Sequence, residues 1–434
     1  MVVMEQKTQK VGNVRWGMAM LIGLGLLISY LDRFNISVAG AMMATKYGWS
    51  ATKLGFLFSA FSWSYAIFQV PMAAILDKIG VKWMQRVCIT LWGITSIGTG
   101  FITGYAGIWV MRLLLGVCEA PSFSAASKGT SYWFPKQERG LATSCFDGAS
   151  MFGNAVGALL VSVAIIKWGW RGAFWSTGVV NLVYAVFFWI LYRDPSESKK
   201  LTKEEYEYIR RGGAQEEGRD SQLLSNIGLM MGSSRAWGLA IAKASAGYIF
   251  YMLLTWMPSY ITKALHMTLA KGAIYLAIPW LVATITDFFI GGITVDYFVR
   301  KGYNPNNVRR SVFIVGTVIS AISMGLITLT SNPNIVVVFL SLAVGGITCT
   351  SPVVWAISGL IAPKGMVGSL GGFINFINNI AGILAPIVTG VLIDATGSYN
   401  TGFVVASIVF LIGILSYLLL VGDINKPIEL KIKG

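Results

Sequence analysis

The stretch Ala73-Ala-Ile-Leu-Asp77-Lys78-Ile-Gly80-Val-Lys82 has a partner far along the chain, Gly292-Ile-Thr-Val-Asp296-Tyr-Phe-Val-Arg300-Lys301-Gly302. Each closes a long apolar run with an acid and follows it with bases in a tight turn. Charges so placed interact with helix ends and lock neighbouring helices together. Asp77 and Asp296 stand 219 residues apart in a chain of 434, so the motif recurs at equivalent places in two similar halves.

Composition says what kind of solvent those halves occupy. The chain is 55% hydrophobic and only 12% charged, whereas a soluble protein is about 25% charged. Its 49 glycines lie within apolar runs, as helices that approach closely inside a bilayer require. A net charge of +15 raises the question of nucleic acid, but the placement of the bases argues for a membrane. Counting Arg86 and Arg310, near the ends of their runs, with the adjoining loops, Lys and Arg divide 24 to one side of the apolar runs and 6 to the other, with 4 inside them, the asymmetry of a plasma or inner membrane protein whose basic loops stay in the cytoplasm. The scattered Cys88, Cys118, Cys145 and Cys349 lack metal-ligand spacing, and a disulfide framework is not expected.

A membrane-crossing helix needs about 20 apolar residues. That ruler predicts twelve spans, at 16–41, 54–77, 83–103, 107–128, 141–165, 172–192, 237–261, 272–298, 310–330, 334–362, 367–393 and 400–422. Lys7, Lys10 and Arg15 precede the first run in the manner of a secretory signal, but no small-residue cleavage site follows. The expectation is an all-α membrane protein with both termini cytoplasmic: a six-helix bundle over 1–192, a cytoplasmic linker over 193–235 and a second six-helix bundle over 236–434. Within the linker, Thr202 and Glu205 have capping-box spacing, so a short solvated helix through Tyr206 and Ile209 is expected.

Inside the predicted spans lie Asp32, Arg33, Arg112, Glu119, Lys128, Lys243 and Asp287, with Asp147 near a helix end. A charge at bilayer depth costs about 2.5–3.5 kcal/mol on insertion scales, which makes each a functional candidate unless it snorkels. Asp32 and Arg33 sit deep in span 1, and neighbours on a helix point about 100° apart, so they do not easily neutralise only each other. Arg112 and Glu119 are two turns apart on one face of span 4, about 10 Å along the axis. Three readings compete: a proton-coupled anion site, a structural charge network, and a path for protons or ions alone. The anion site accounts for both signs, because a guanidinium grips a carboxylate in bidentate geometry and a titratable acid beside it couples binding to protons. Lys128 and Lys243 are expected to snorkel toward the cytoplasmic ends of their helices. Asp287 has no assigned role. His266 has no partner at ligand spacing, no phosphate-cradling Gly-Lys-Ser/Thr loop is present, and an enzyme is not expected.

Both loops resemble the signature loop of the major facilitator superfamily, with Ala73 and Val81 as departures in the first copy. The structural signature residues are then Asp77, Lys78, Gly80, Gly292, Asp296 and Arg300. The resemblance covers nearly the whole chain and implies two bundles rocking about a central site. Tyr30 to Ala39, the segment through Glu119-Ala-Pro121, Trp133-Phe134-Pro135 with Glu138-Arg139, Leu254-Thr-Trp256-Met-Pro258 and Leu420-Val-Gly-Asp423 further resemble the anion:cation symporter family, most of all its D-galactonate type. That family includes carriers of hexonates, hexuronates and glucarate, and the resemblance implies proton sites at Asp32 and Glu119. It also implies substrate contacts from Arg33, Tyr65, Arg112, Trp355 and Asn375. On the residues alone, Tyr65 and Trp355 are equally well explained by packing, and Asn375, Asn378 and Asn379 by hydrogen bonds between helices. Ser150 and Lys243 replace amides of the galactonate type and are possible additional contacts.

The expected function is proton-coupled symport of a small organic anion, with no cofactor besides protons, by a monomer in a lipid bilayer. The alternatives are an exchanger or carrier of a phthalate- or tartrate-type anion, and a membrane receptor without turnover.

Overall fold

The computed structural model describes residues 12–214, 230–363, 366–424 and 426–428. Lys7 and Lys10, and positions 215–229 of the expected linker, lie outside the described residues. Ten long apolar helices are present, but two of them, Ala51–Phe101 and Arg139–Leu191, run 51 and 53 residues. At 1.5 Å per residue such a rod would be about 76–80 Å long, more than twice the ~30 Å hydrocarbon core. Each breaks in the middle. Gly80 (φ 79°, ψ 166°) and Gly169 (φ 69°, ψ −176°) adopt extended conformations with positive φ, a region essentially closed to residues with a Cβ. The breaks turn ten helices into twelve spans.

In chain order, spans 1 to 6 are Val14–Tyr47, 51–79, 81–101, Tyr105–Trp133, 139–168 and 170–191. Spans 7 to 12 are Ser234–Ala264, Leu269–Arg300, Pro305–Ile327, Pro333–Ile361, Ser369–Thr396 and Asn400–Val421. Most overrun their predicted ends, because hydropathy measures the hydrocarbon thickness while a helix continues into the interface wherever a cap sustains it. No strand occurs among the described residues.

Packing defines two ends. At the end remote from the linker, one hydrophobic core runs through both halves, joining Phe34, Leu57, Phe58, Ala158 and Ile165 to Ile249, Trp256, Leu276, Trp280 and Phe403. At the linker end there are two separate cores. One belongs to spans 1 to 6, with Leu26, Met84, Trp133 and Phe188; the other to spans 7 to 12, with Leu239, Val354, Phe373 and Tyr417. The halves are therefore joined at the far end and packed independently at the linker end.

The far-end joint is tight. A Cβ on Gly55 of span 2 would collide with the Pro386 carbonyl of span 11, and one on Gly390 with the Ala51 carbonyl. Asp394, at the end of span 11, accepts hydrogen bonds from the first amides of span 2, Ala51 at 2.9 Å and Thr52 at 2.7 Å. The carboxylate satisfies orphan N–H groups and meets the positive end of the helix dipole. Gly55→Leu is expected to wedge spans 2 and 11 apart. The check is maleimide labelling of a Phe58→Cys reporter in a background without native cysteines: labelling should rise several-fold over the Gly55 parent.

The linker helix, Lys203–Arg211, differs from its expectation. The Thr202 hydroxyl caps it as predicted, accepting from the Glu205 amide at 3.2 Å. Glu205, however, does not close the box. Its carboxylate is fully buried and accepts from the amides of Val14 and Arg15, both at 3.2 Å, and from the Arg15 guanidinium at 3.1 Å. It thus caps span 1, and with Ile209 buried as well the helix is docked rather than solvated. Glu138 completes the clamp, taking Arg15 Nε at 2.8 Å and the Tyr208 hydroxyl at 2.9 Å.

Partial burial alone would raise the Glu138 pKa, but the hydrogen bonds from Arg15 and Tyr208 outweigh it and hold the carboxyl below its ordinary 4.5. A depressed acid stabilises the folded state above its unfolded pKa, and that contribution is lost as pH falls through the folded value. Docking of the linker helix should hold at neutral pH and loosen below about 4.5. Amide exchange across 203–211 measured down the pH scale should show this, and Arg15→Ala should give the acid pattern already at pH 7.

Candidate functional site

Span 1 presents two faces at the middle of the membrane, and each carries one member of the Asp32-Arg33 pair. Ser29 and Arg33, one turn apart, face span 4. Glu119 Oε2 there accepts from Ser29 Oγ at 2.6 Å and from Arg33 Nε at 2.8 Å. Both ions are buried, with side-chain exposures of 4% and 0%, so each depends on the other for compensation. Aromatic faces surround the guanidinium: its carbon lies 4.7 Å from the Tyr30 ring centre, 4.6 Å from Phe61 and 4.9 Å from Tyr65. Such faces attract a cation without offering a competing anion.

Asp32 turns the other way, into the bundle of spans 1, 3 and 6. Ser96 Oγ donates to it at 2.7 Å, Asn35 Nδ2 at 3.1 Å, and Asn181 Nδ2 completes the shell. Three neutral donors solvate it in place of a cation, so Asp32 stands outside the Arg33–Glu119 pair. Arg112 lies against the same Phe61 ring, 5.4 Å from its centre. Its Nε and Nη1 have no protein hydrogen-bond partner, and neither has Glu119 Oε1. Glu119 pairs across to Arg33 of span 1, not with Arg112 on its own helix.

The second half contributes residues that charge-based reading passed over. Asn379 of span 11 donates from Nδ2 to Gln69 Oε1 of span 2 at 3.0 Å, and the Tyr251 hydroxyl of span 7 stands 3.5 Å from Asn379 Oδ1. Asn379 was expected to bond between helices; Gln69 and Tyr251 carried no signal, because an uncharged polar residue in a span is common. Trp355 of span 10 is 40% exposed, and a Cβ on Gly371 of span 11 would touch its ring at 3.3 Å. Asn375, half-buried, is one turn beyond Gly371 on the same helix.

Other candidates fall elsewhere. The buried Ser150 hydroxyl donates to the Asp147 carbonyl of its own helix at 2.6 Å. Lys243 does not snorkel: its ammonium donates to Ser351 Oγ at 2.8 Å, and Asp147 and Asp287 are its electrostatic neighbours. That gives Asp287 a setting the sequence left open. Lys128 forms an ion pair with the partly exposed Asp77 of the first signature loop, at the linker end of its span. Lys78 is exposed beside that loop, whose turn is made by Gly80. In the second loop Gly292 stays helical, Asp296 and Arg300 are exposed, and the positive φ falls at Gly302 (89°), because span 8 runs a turn further. His266 lies in a far-end loop at φ 51°.

Twelve spans in two bundles, a charged loop in each half and buried ions between helices define a polytopic transporter. The Major Facilitator Superfamily model matches residues 22–386 and 306–433, and the chain belongs to that family. It is 36% identical over 430 residues to an uncharacterised transporter of Bacillus subtilis, covering 98% of both chains. It is 31% identical over 439 residues to a probable galactarate/D-glucarate transporter of Escherichia coli, covering 98% of this chain and 96% of the relative. The fold is similar to that of a bacterial homologue of the human lysosomal transporter Spinster in an inward-facing and occupied conformation. The TM-score is 0.74 at 15% identity, with 94% of this chain and 97% of the other covered.

Removing one partner of a buried pair typically costs about 3–5 kcal/mol by stranding the other charge. Arg33→Gln should therefore lower the melting temperature in detergent markedly, and Arg33→Gln with Glu119→Gln should recover most of the loss. A double-mutant cycle on thermal unfolding is the check.

Proposed function

We propose that the chain is a proton-coupled symporter that carries a small organic anion of the sugar-acid class into the cell. The observation that carries this reading is the buried Arg33–Glu119 ion pair, held at mid-span among aromatic faces. Arg33 is the cation a substrate carboxylate would seek, and Glu119 already occupies it. A proton on Glu119 removes the competing charge and frees the guanidinium for the substrate, so proton and anion enter together. Arg112, with unpartnered N–H groups beside Phe61, is a second point of attachment. Asp32, within electrostatic reach of both Glu119 and Arg112, is a second proton site whose charge tunes them from behind. Tyr65, Trp355 and Asn375 line the approach. No cofactor besides protons takes part.

The similarity to a probable galactarate/D-glucarate transporter supports the sugar-acid class. The excess of bases at the linker end supports a cytoplasmic linker and termini in the plasma (inner) membrane. With that orientation, joined cores at the far end and separate cores at the linker end correspond to a carrier closed to the outside. If two protons accompany a monoanion, net positive charge enters and the membrane potential adds about 2.3 kcal/mol per 100 mV.

Proteoliposomes test the reading. A pH gradient, acid outside, should drive accumulation of D-galactonate or D-glucarate, while a sodium gradient alone should not. Glu119→Gln should abolish gradient-driven accumulation yet retain measurable exchange. Equal uptake under sodium alone would sink the proton-coupled reading.

A further inference from the structure

The charged pair accounts for how a carboxylate is held, but nothing in it distinguishes a polyhydroxylated acid from a plain one. The polar chain from Gln69 through Asn379 to Tyr251 has the chemistry that does. Gln69 is one turn along span 2 from Tyr65, about 6 Å, and Tyr65 lies against Arg33. Tyr251, reaching from the other half, is within electrostatic reach of Arg33 as well. The chain therefore begins where the bound carboxylate would sit and leads away from it across the boundary between halves.

We infer that Gln69, Asn379 and Tyr251 form the hydroxyl-recognition limb of the site, specifying a polyhydroxylated carboxylate and linking its occupancy to the contact between the two bundles. The inference rests on the proposed sugar-acid transport and deepens it. Each carboxamide offers both donors and an acceptor, and a phenol offers one of each, which matches a hydroxyl group that must donate and accept at once. Without substrate these groups satisfy one another, with Asn379 Nδ2 on Gln69 Oε1 at 3.0 Å. A sugar acid whose carboxylate lies at Arg33 places its adjacent hydroxyls within reach of this limb. It can then replace one bond between bundles with bonds from each bundle to itself. A carboxylate without hydroxyls that filled the same space would part Gln69 from Asn379 and leave the buried Asn379 amide unpaired, the condition under which sites reject an analogue most strongly.

The test compares D-glucarate, D-galactonate and adipate, the last having the carbon chain and carboxylates of glucarate without its hydroxyls. Dissociation constants come from thermal shift and from competition for uptake by the purified full chain. The wild type should bind at least one sugar acid at least tenfold more tightly than adipate. Gln69→Leu and Asn379→Leu should each weaken sugar-acid binding about tenfold and leave adipate binding unchanged, collapsing the preference. Gln69→Asn, which keeps the amide but shortens its reach, should fall between. Arg33→Gln should weaken all three ligands. A merely structural link between bundles would change all ligands in parallel, so an unchanged sugar-acid to adipate ratio in both leucine variants overturns the inference while leaving sugar-acid transport standing. If the wild type binds neither sugar acid, the transport reading fails and this inference with it. The ligand-free melting temperature of each variant separates loss of recognition from loss of fold.

Discussion

One buried ion pair, Arg33 with Glu119, constrains the centre of the molecule. Removing either partner would strand the other charge at that depth, at a cost of about 3–5 kcal/mol. The surroundings follow from that requirement. Ser29 lies one turn from Arg33 so that both reach the same carboxylate oxygen, and Tyr30, Phe61 and Tyr65 enclose the guanidinium with ring faces. A pair arranged in this way is stable when closed and can be opened by neutralising the acid or by supplying a second carboxylate. Those two events are what the proposed coupled transport requires.

The distribution of hydrophobic cores gives the local event a mechanical outlet. A continuous core cannot be parted without exposing apolar surface, so the far-end joint, with Gly55 against the Pro386 carbonyl and Asp394 on the amides of span 2, acts as one unit. The linker-end cores are each complete within a bundle, so the bundles can separate there without either being unpacked. The docked linker helix reinforces this division. Glu205 and Glu138 fasten it through Arg15 to the first bundle, so its anchored part travels with spans 1 to 6.

The number and placement of the spans were legible in sequence because the bilayer imposes a length scale that hydropathy records directly. The two turns at Gly80 and Gly169 show how local that information is: hydropathy separates spans 2 and 3, and the positive φ of a glycine executes the turn. The charged site was legible in part. The cost of a charge at depth singled out Asp32, Arg33, Arg112 and Glu119, and helical geometry already indicated that Asp32 and Arg33 do not neutralise only each other. Which neighbour each serves was not legible, since that depends on the rotation of span 1 against spans 3, 4 and 6. The same limit applies to Lys128 and Lys243, whose partners, Asp77 and Ser351, lie 51 and 108 residues away.

By itself the sequence determined a twelve-span, two-bundle membrane protein with a set of charges too costly to be incidental, because hydropathy, the repeated loop and the excess of bases on one side are properties of residues in order. Only the tertiary structure decided that Glu119 holds Arg33 rather than Arg112, that Asp32 is solvated by Ser96, Asn35 and Asn181, and that Gln69 meets Asn379 between the bundles. These pairings depend on where the faces of separate helices come to rest, and no residue carries that information until all the helices are packed.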